Sequence, residues 1–136
     1  MIQIHCRDHS ARELGRRVLL DLLPWPGFGC LEVKIRRHAR LADLGRTRAV
    51  GVNAMGVPDR FVVLISSDQS RREAIETLVH ELVHVAQYHT GRLSADHRRW
   101  CFWPVDPDQD YWQQPWELEA YQLARDLVDQ KYQNWI

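Results

Sequence analysis

A short apolar run and the amphipathic segment after it constrain the fold of this 136-residue chain most strongly. Phe61–Ile65 reads FVVLI, and its β-branched residues predict a strand covered on both faces. Ser70 and Glu73 form the S-x-x-E pattern of a capping box, which predicts that a helix begins at Ser70. Gly91 ends this helix after about Thr90. Its apolar stripe, which indicates a centrally packed helix, consists of Ile75, Leu78, Leu82, Val85 and Ala86.

Two more helices and two more strands follow from the same kind of pattern. Helical spacing of apolar residues predicts a helix over Ser10–Leu23, and Pro115 opens a helix that reaches about Tyr132. Alternating apolar and charged residues predict a strand over Leu31–Arg36, and Ala49–Ala54 is a second candidate. Arg92–Gln114 shows no period, and a loop of that length is usually functional.

Length predicts one domain over residues 1–136. The predicted elements give it an α+β fold, in which an N-terminal helix and a small sheet, expected to be mostly antiparallel, precede the two later helices. Lys plus Arg and Asp plus Glu each total 18, so the chain lacks the basic excess of proteins that bind nucleic acid or anionic membranes. No apolar run is long enough to span a membrane. The N-terminus is polar and therefore does not resemble a signal peptide. The widely spaced Cys6, Cys30 and Cys101 are expected to be free thiols, which predicts a cytoplasmic protein.

The central helix carries the sequence HELVH, an HExxH motif. His80 and His84 are four residues apart, so one helical face presents both imidazoles to a single point. Zinc accepts nitrogen and oxygen ligands tetrahedrally, and a catalytic site keeps one position for water. Glu81 can reach that water, whose pKa the metal lowers from about 15.7 to about 7. The motif predicts Zn²⁺ bound by His80 and His84, with Glu81 as general base.

The third ligand must come from elsewhere in the chain. Glu117 shares a helical face with small and apolar residues, whereas the same spacing from Glu119 gives a mostly polar face. Because a carboxylate on a buried face needs a partner or a metal, we predict Glu117 as the ligand and Glu119 as a surface or supporting residue. His97 lies thirteen residues after His84, can return through the turn between them, and stays an alternative.

Two strings resemble those of the gluzincin metallopeptidases, in particular small phage and bacterial members. His80–Tyr88 reads HELVHVAQY and resembles a HELVHVxQY string, and Tyr111–Tyr121 reads YWQQPWELEAY and resembles a YWxxPWExEAY signature. The resemblance covers residues 61–124, and the N-terminal half only by the order of its elements. In that family the ligand glutamate stands three residues before an alanine, as Glu117 does here. Tyr121 stands where such families place an aspartate.

The resemblance implies a minimal zincin-like fold and a zinc metallopeptidase that hydrolyses a peptide or protein substrate, and an enzyme this small can require a regulatory partner. The candidates to stabilise the oxyanion are Tyr111, Tyr121, His89 and His97. Two alternatives remain open. One is a non-catalytic zinc-stabilised binding module, and the other is an SprT-like DNA-associated protease with His97 as the third ligand.

Overall fold

The computed structural model describes residues 1–24, 29–39 and 41–135. Over these ranges the chain forms three α-helices, a four-stranded sheet and a two-stranded hairpin, so the predicted α+β class is confirmed. The helices are α1 (His9–Leu22), α2 (Arg71–His89) and α3 (Pro115–Gln130). The strands are β1 (Ile2–His5), β2 (Leu31–His38), β3 (Gly45–Val52), β4 (Pro58–Ser66), β5 (Arg99–Trp100) and β6 (Trp103–Pro104).

The large sheet has the strand order β1-β2-β4-β3. β1 pairs parallel with β2, β2 pairs parallel with β4, and β3 pairs antiparallel with β4. The prediction of a mostly antiparallel sheet is therefore wrong for this sheet. The reason is that a strand absent from the prediction, β1, precedes α1, and the helix returns the chain so that β2 runs in the same direction. β4 then inserts between β2 and its own hairpin partner β3.

One face of the sheet forms the core together with α1 and α2. The side chains of Val33, Phe61 and Val63 on this face are fully or almost fully buried. On the opposite face Val62 and Leu64 are half-buried. The prediction of a strand covered on both faces is thus fulfilled on one face and only in part on the other.

The central helix α2 packs against α1, α3, β3 and β4. The Glu73 backbone N–H donates to Ser70 Oγ at 3.2 Å, which confirms the predicted cap, and all five residues of the predicted apolar stripe are buried. Every residue from Thr77 to His89 is buried. Polar side chains in this stretch therefore need partners inside the protein, since burying them without hydrogen bonds is costly.

The segment Arg92–Gln114 is more regular than predicted. It contains the hairpin β5–β6 and a 3-10 turn at Tyr111–Gln113. The hairpin turns through Cys101 and Phe102, whose φ angles of 51° and 72° are the left-handed values that a two-residue turn between strands requires. Phe102 is 88% exposed, so an aromatic ring stands out at the tip of the hairpin.

Two predictions from the sequence concern the cysteines and the possibility of a membrane-spanning helix. Cys6, Cys30 and Cys101 are free, as the sequence predicts. Within the described ranges, no helix combines the length and the apolar character needed to cross a membrane.

Candidate metal centre

Three buried side chains from two helices converge where α2 meets α3. They are His80, His84 and Glu117, and one ligand atom from each lies within 4.8 Å of the others. Glu117 Oε1 is 2.7 Å from His84 Nε2 and 3.1 Å from His80 Nε2, and the two Nε2 atoms are 3.2 Å apart. Ligand atoms bound tetrahedrally to zinc at about 2.0–2.1 Å are separated by about 3.3 Å. The group could therefore hold a metal ion with little rearrangement.

The position of Glu117 follows from the sequence of α3. Pro115 occupies the start of this helix, where its missing N–H is not needed, and Glu117 lies in the first turn. Ala120 and Ala124, on the same face, are 0% and 4% exposed, and their small side chains allow α3 to pack closely on α2. The predicted inward face of α3 is confirmed by this burial.

The other two candidate ligands have different partners. The Glu119 carboxylate accepts hydrogen bonds from Gln87 and Arg92, and His97 Nε2 is hydrogen-bonded to the Tyr88 hydroxyl. The structure thus brings Glu117 to both histidines and does not bring Glu119 or His97 into that group. The identity of the ligands stays a prediction until an ion is bound.

Glu117 and His84 shift each other's pKa in opposite directions. Burial alone would raise the pKa of Glu117, but the hydrogen bonds to His80 and His84 and the charge of His84 outweigh it and hold that pKa well below its usual range. Burial alone would lower the pKa of His84, but the hydrogen bond to Glu117 and the charges of Glu117 and Glu81 raise it. The buried Glu117 carboxylate therefore favours the protonated form of His84, and a metal cation could replace that proton.

Glu81 lies beside this group and is held by β3. Its Oε2 atom is 4.0 Å from His80 Nε2, and its Oε1 atom accepts a hydrogen bond from Thr47 Oγ1 at 2.9 Å. Burial raises the pKa of the Glu81 carboxyl, against the opposing charges of His84 and His80. A Cβ added at Gly45 would lie only 2.6 Å from Thr77 Cγ2 and 2.9 Å from Glu81 Cγ, so a glycine permits this close approach of β3.

Sequence reasoning missed two residues of this site. Thr47 is 34 positions from Glu81, and nothing in its own neighbourhood indicates the contact. Gln87 lies three residues after His84, and its Oε1 atom is 2.8 Å from His84 Nδ1. The i, i+3 spacing on one helical face was a signal that could have identified Gln87.

A cleft of about 730 Å³ opens over the cluster. Three of the four candidates for oxyanion stabilisation line it: Tyr111, Tyr121 and His97. Tyr111 lies near Glu117, and burial followed by the interaction with this carboxylate raises the pKa of the Tyr111 phenol. The Tyr121 ring lies 4.4 Å from the His80 ring. His89 instead contacts the Pro58 carbonyl oxygen at 2.7 Å, away from this group.

The comparisons with known proteins give no relative for this chain. It matches no protein-family model, no curated protein and no solved structure.

Proposed function

We propose that this chain is a zinc-dependent metalloendopeptidase of the gluzincin type, built on a minimal zincin-like scaffold. The observation that carries the proposal is the convergence of His80, His84 and Glu117 beside the carboxyl of Glu81 in an open cleft. Two imidazoles and a carboxylate form a donor set that suits zinc, and three protein ligands leave a fourth position for water. Zinc bound there supplies a Lewis acid and lowers the pKa of water from about 15.7 to about 7.

Glu81 is the general base of the proposed reaction. The Thr47 hydroxyl donates a hydrogen bond to Glu81 Oε1, and Glu81 Oε2 lies 4.0 Å from His80 Nε2. The upward shift of the Glu81 pKa moves it toward the range in which a carboxylate accepts and releases protons near neutral pH. Glu81 accepts a proton from the attacking water and delivers it to the leaving amine of the substrate.

The substrate is a peptide or protein that binds as an added strand along β3. This strand is the edge of the large sheet, and its residues Gly45, Arg46 and Thr47 line the cleft. An extended peptide can form main-chain hydrogen bonds with such an edge. A peptide aligned there would cross the cleft beside Glu81. Of the candidate donors, we assign the Tyr111 phenol to the developing oxyanion, because Tyr111 lines the cleft near Glu117.

The proposed cellular setting is the cytoplasm. Free thiols at Cys6, Cys30 and Cys101 are typical of a reducing compartment. We treat residues 1–136 as one catalytic domain, and a regulatory partner protein stays a prediction.

Hydrolysis of an unfolded, fluorescently labelled casein by the zinc-loaded protein tests the proposal. Glu81→Gln should lower kcat by about 10²–10⁴-fold, the usual contribution of a general base, while zinc stays bound. Glu13→Gln, the same change on α1, serves as the control and should retain the wild-type rate. Equal hydrolysis by wild type and Glu81→Gln at equal zinc content would remove the proposed role of Glu81.

One observation favours the alternative of a non-catalytic zinc-stabilised module. The Tyr111 phenol lines the cleft near the Glu117 carboxylate, so it can reach the position intended for water. If the site is closed in this way, zinc raises the melting temperature, yet the zinc-loaded wild type does not hydrolyse casein. The SprT-like alternative has less support, because His97 Nε2 is hydrogen-bonded to Tyr88.

A further inference from the structure

Gln87 is a polar residue of α2 with no exposed surface, and it lies between His84 and α3. Its Oε1 atom is 2.8 Å from His84 Nδ1. Its Nε2 atom is 3.0 Å from the Trp116 carbonyl oxygen and 3.2 Å from Glu119 Oε1. Two of these three hydrogen bonds therefore join the HExxH helix to the N-terminal part of α3, which carries Glu117.

The partners of Gln87 permit only one orientation of its amide. A carbonyl oxygen and an ionised carboxylate only accept hydrogen bonds, so the amide nitrogen must face Trp116 and Glu119. The opposite orientation would bring the amide oxygen against two other oxygen atoms. The amide oxygen consequently faces His84 Nδ1, and it can only accept a hydrogen bond from that ring nitrogen.

The same reasoning fixes Nδ1 of His84 as a protonated nitrogen, so a metal that binds this ring takes the place of the proton on Nε2. An imidazole that donates from Nδ1 and is neutral has its lone pair on Nε2. His84 Nε2 is the atom that lies 2.7 Å from Glu117 Oε1 and 3.2 Å from His80 Nε2, at the centre of the candidate site. The hydrogen bond to Gln87 thus selects the tautomer that can bind a metal.

We propose that Gln87, oriented by Glu119 and the Trp116 carbonyl, is a positioning residue that holds His84 in its Nδ1–H form with Nε2 directed at the metal. Metal-binding histidines generally donate their other N–H to a carboxylate, a carbonyl or water. Here a glutamine performs that function from the same helix. The inference rests on the proposed metal site but not on peptide hydrolysis.

The chain of contacts extends beyond Glu119. Arg92 pairs with the Glu119 carboxylate, and the Arg92 guanidinium lies 4.9 Å from the centre of the Trp100 ring. Arg92 thereby holds Glu119 in the orientation that receives the Gln87 amide. This gives Glu119 a definite role, as a supporting residue two contacts away from His84.

The first test is the zinc affinity of Gln87→Met, measured by competition with a chelating dye. Methionine preserves much of the side-chain volume but offers no strong acceptor to His84. Loss of such a partner typically costs about 10–100-fold in metal affinity, and we expect a loss in this range. The control is Gln122→Met on the exposed side of α3, which should bind zinc as wild type does. Equal affinities for wild type and a folded Gln87→Met would overturn the proposal.

A pair of charge changes tests the hydrogen-bond pattern even if Gln87→Met fails to fold. Glu119→Gln should weaken zinc binding a few-fold in the wild-type background, because it weakens the hold on the Gln87 amide. In the Gln87→Glu background it should strengthen zinc binding, about tenfold, because an amide nitrogen can then donate to the new carboxylate. A loss of packing alone would not reverse the sign. If Glu119→Gln acts in the same direction in both backgrounds, Gln87 does not act through this network.

A spectroscopic measurement completes the test. In the zinc-loaded wild type, ¹H–¹⁵N NMR of the histidine rings should show a proton on His84 Nδ1 that exchanges slowly with solvent, and Glu119→Gln should speed this exchange. A His84 ring bound to zinc through Nδ1 would contradict the proposal. The readouts also separate the two proposals. Zinc-loaded wild type that hydrolyses nothing counts against the peptidase alone, and unchanged affinities in an active enzyme count against Gln87 alone.

Discussion

The two walls of the cleft differ in how their side chains are held. The helical wall consists of α2 and α3 around His80, His84 and Glu117, all of which are at most 7% exposed and hydrogen-bonded to one another. The hairpin wall is the segment Arg92–Gln114. Its tip carries strongly exposed aromatic rings, and three of its non-glycine residues, His97, Cys101 and Phe102, have positive φ angles.

This difference separates the functions of the two walls. Groups that must converge within a few tenths of an ångström lie on rigid helices, where packing and hydrogen bonds fix their rotamers. Contacts that depend on the substrate belong on a loop, where side chains can adjust. Substitutions in the helical wall should therefore change metal binding and catalysis, and those in the hairpin wall, apart from Arg92 and Tyr111, should mainly change stability or substrate preference.

The strongest test of this comparison removes one candidate ligand from each wall. Glu117→Ala should weaken zinc binding by more than about 100-fold, beyond the 10–100-fold typical of supporting residues. His97→Ala, from the hairpin wall, should bind zinc about as tightly as wild type. The measurement is zinc content after dialysis, with dye competition for affinity. Zinc lost from His97→Ala and retained by Glu117→Ala would reverse the assignment of the walls.

The pH dependence of zinc binding tests the coupling within the helical wall. Zinc binds the neutral imidazole, and the neighbouring Glu117 raises the pKa of His84 above its ordinary 6.5. The metal must displace that proton, so apparent affinity should fall by about tenfold per pH unit as pH drops below the raised pKa. Titrations with zinc between about pH 6 and pH 9 measure the effect. An affinity that is flat across this range would show that no such proton is displaced.

The hydrogen bond from Thr47 of β3 to Glu81 should affect kcat without affecting zinc affinity. Thr47→Val keeps the shape of the side chain but removes the hydroxyl that donates to Glu81 Oε1. A lost hydrogen bond to a charged group is worth about 1.5 kcal/mol, so kcat should fall by about tenfold while zinc affinity stays near the wild-type value. Thr47→Ser retains the hydroxyl and should keep most of the activity. A Thr47→Val enzyme with unchanged kcat would mean that this bond does not orient Glu81.

The smallest expected effect concerns the hairpin wall. Phe102 has a φ of 72° and is 88% exposed, so Phe102→Gly relieves backbone strain and gives up little burial. It should stabilise the protein by about 1 kcal/mol, whereas Leu118→Gly at an exposed position of α3 should destabilise it by about the same amount. Urea unfolding measures both. Destabilisation by Phe102→Gly would indicate that the aromatic ring makes contacts that outweigh the strain.

The helical wall was the more predictable of the two because its signals are local and periodic. The cap at Ser70, the apolar stripe of α2 and the inward face of α3 each occupy one continuous stretch, and the structure confirms them. The HExxH spacing directs His80 and His84 to one point by helical geometry alone. The face of α3 that is rich in alanine distinguishes Glu117 from Glu119 on the amino-acid sequence alone.

The remaining features depend on contacts between distant parts of the chain. β1 is only four residues long and gives little periodic signal, so the parallel pairing that it begins was missed. The hairpin β5–β6 turns through Cys101 and Phe102, neither of which is typical of a turn that requires positive φ. Thr47 reaches Glu81 only because β3 pairs with β4 at the edge of the sheet. This contact is a consequence of topology and not of local sequence.

Zinc K-edge X-ray absorption of the purified, never-chelated protein tests the central claim most directly. The account predicts one zinc ion per chain, bound by two histidine nitrogens at about 2.0–2.1 Å and by carboxylate and water oxygens at about 2.0–2.2 Å. The same spectrum from Glu117→Ala should lose an oxygen ligand or the metal. A wild-type protein that contains no metal and does not take up added zinc, or a zinc shell without two imidazoles, would contradict the account.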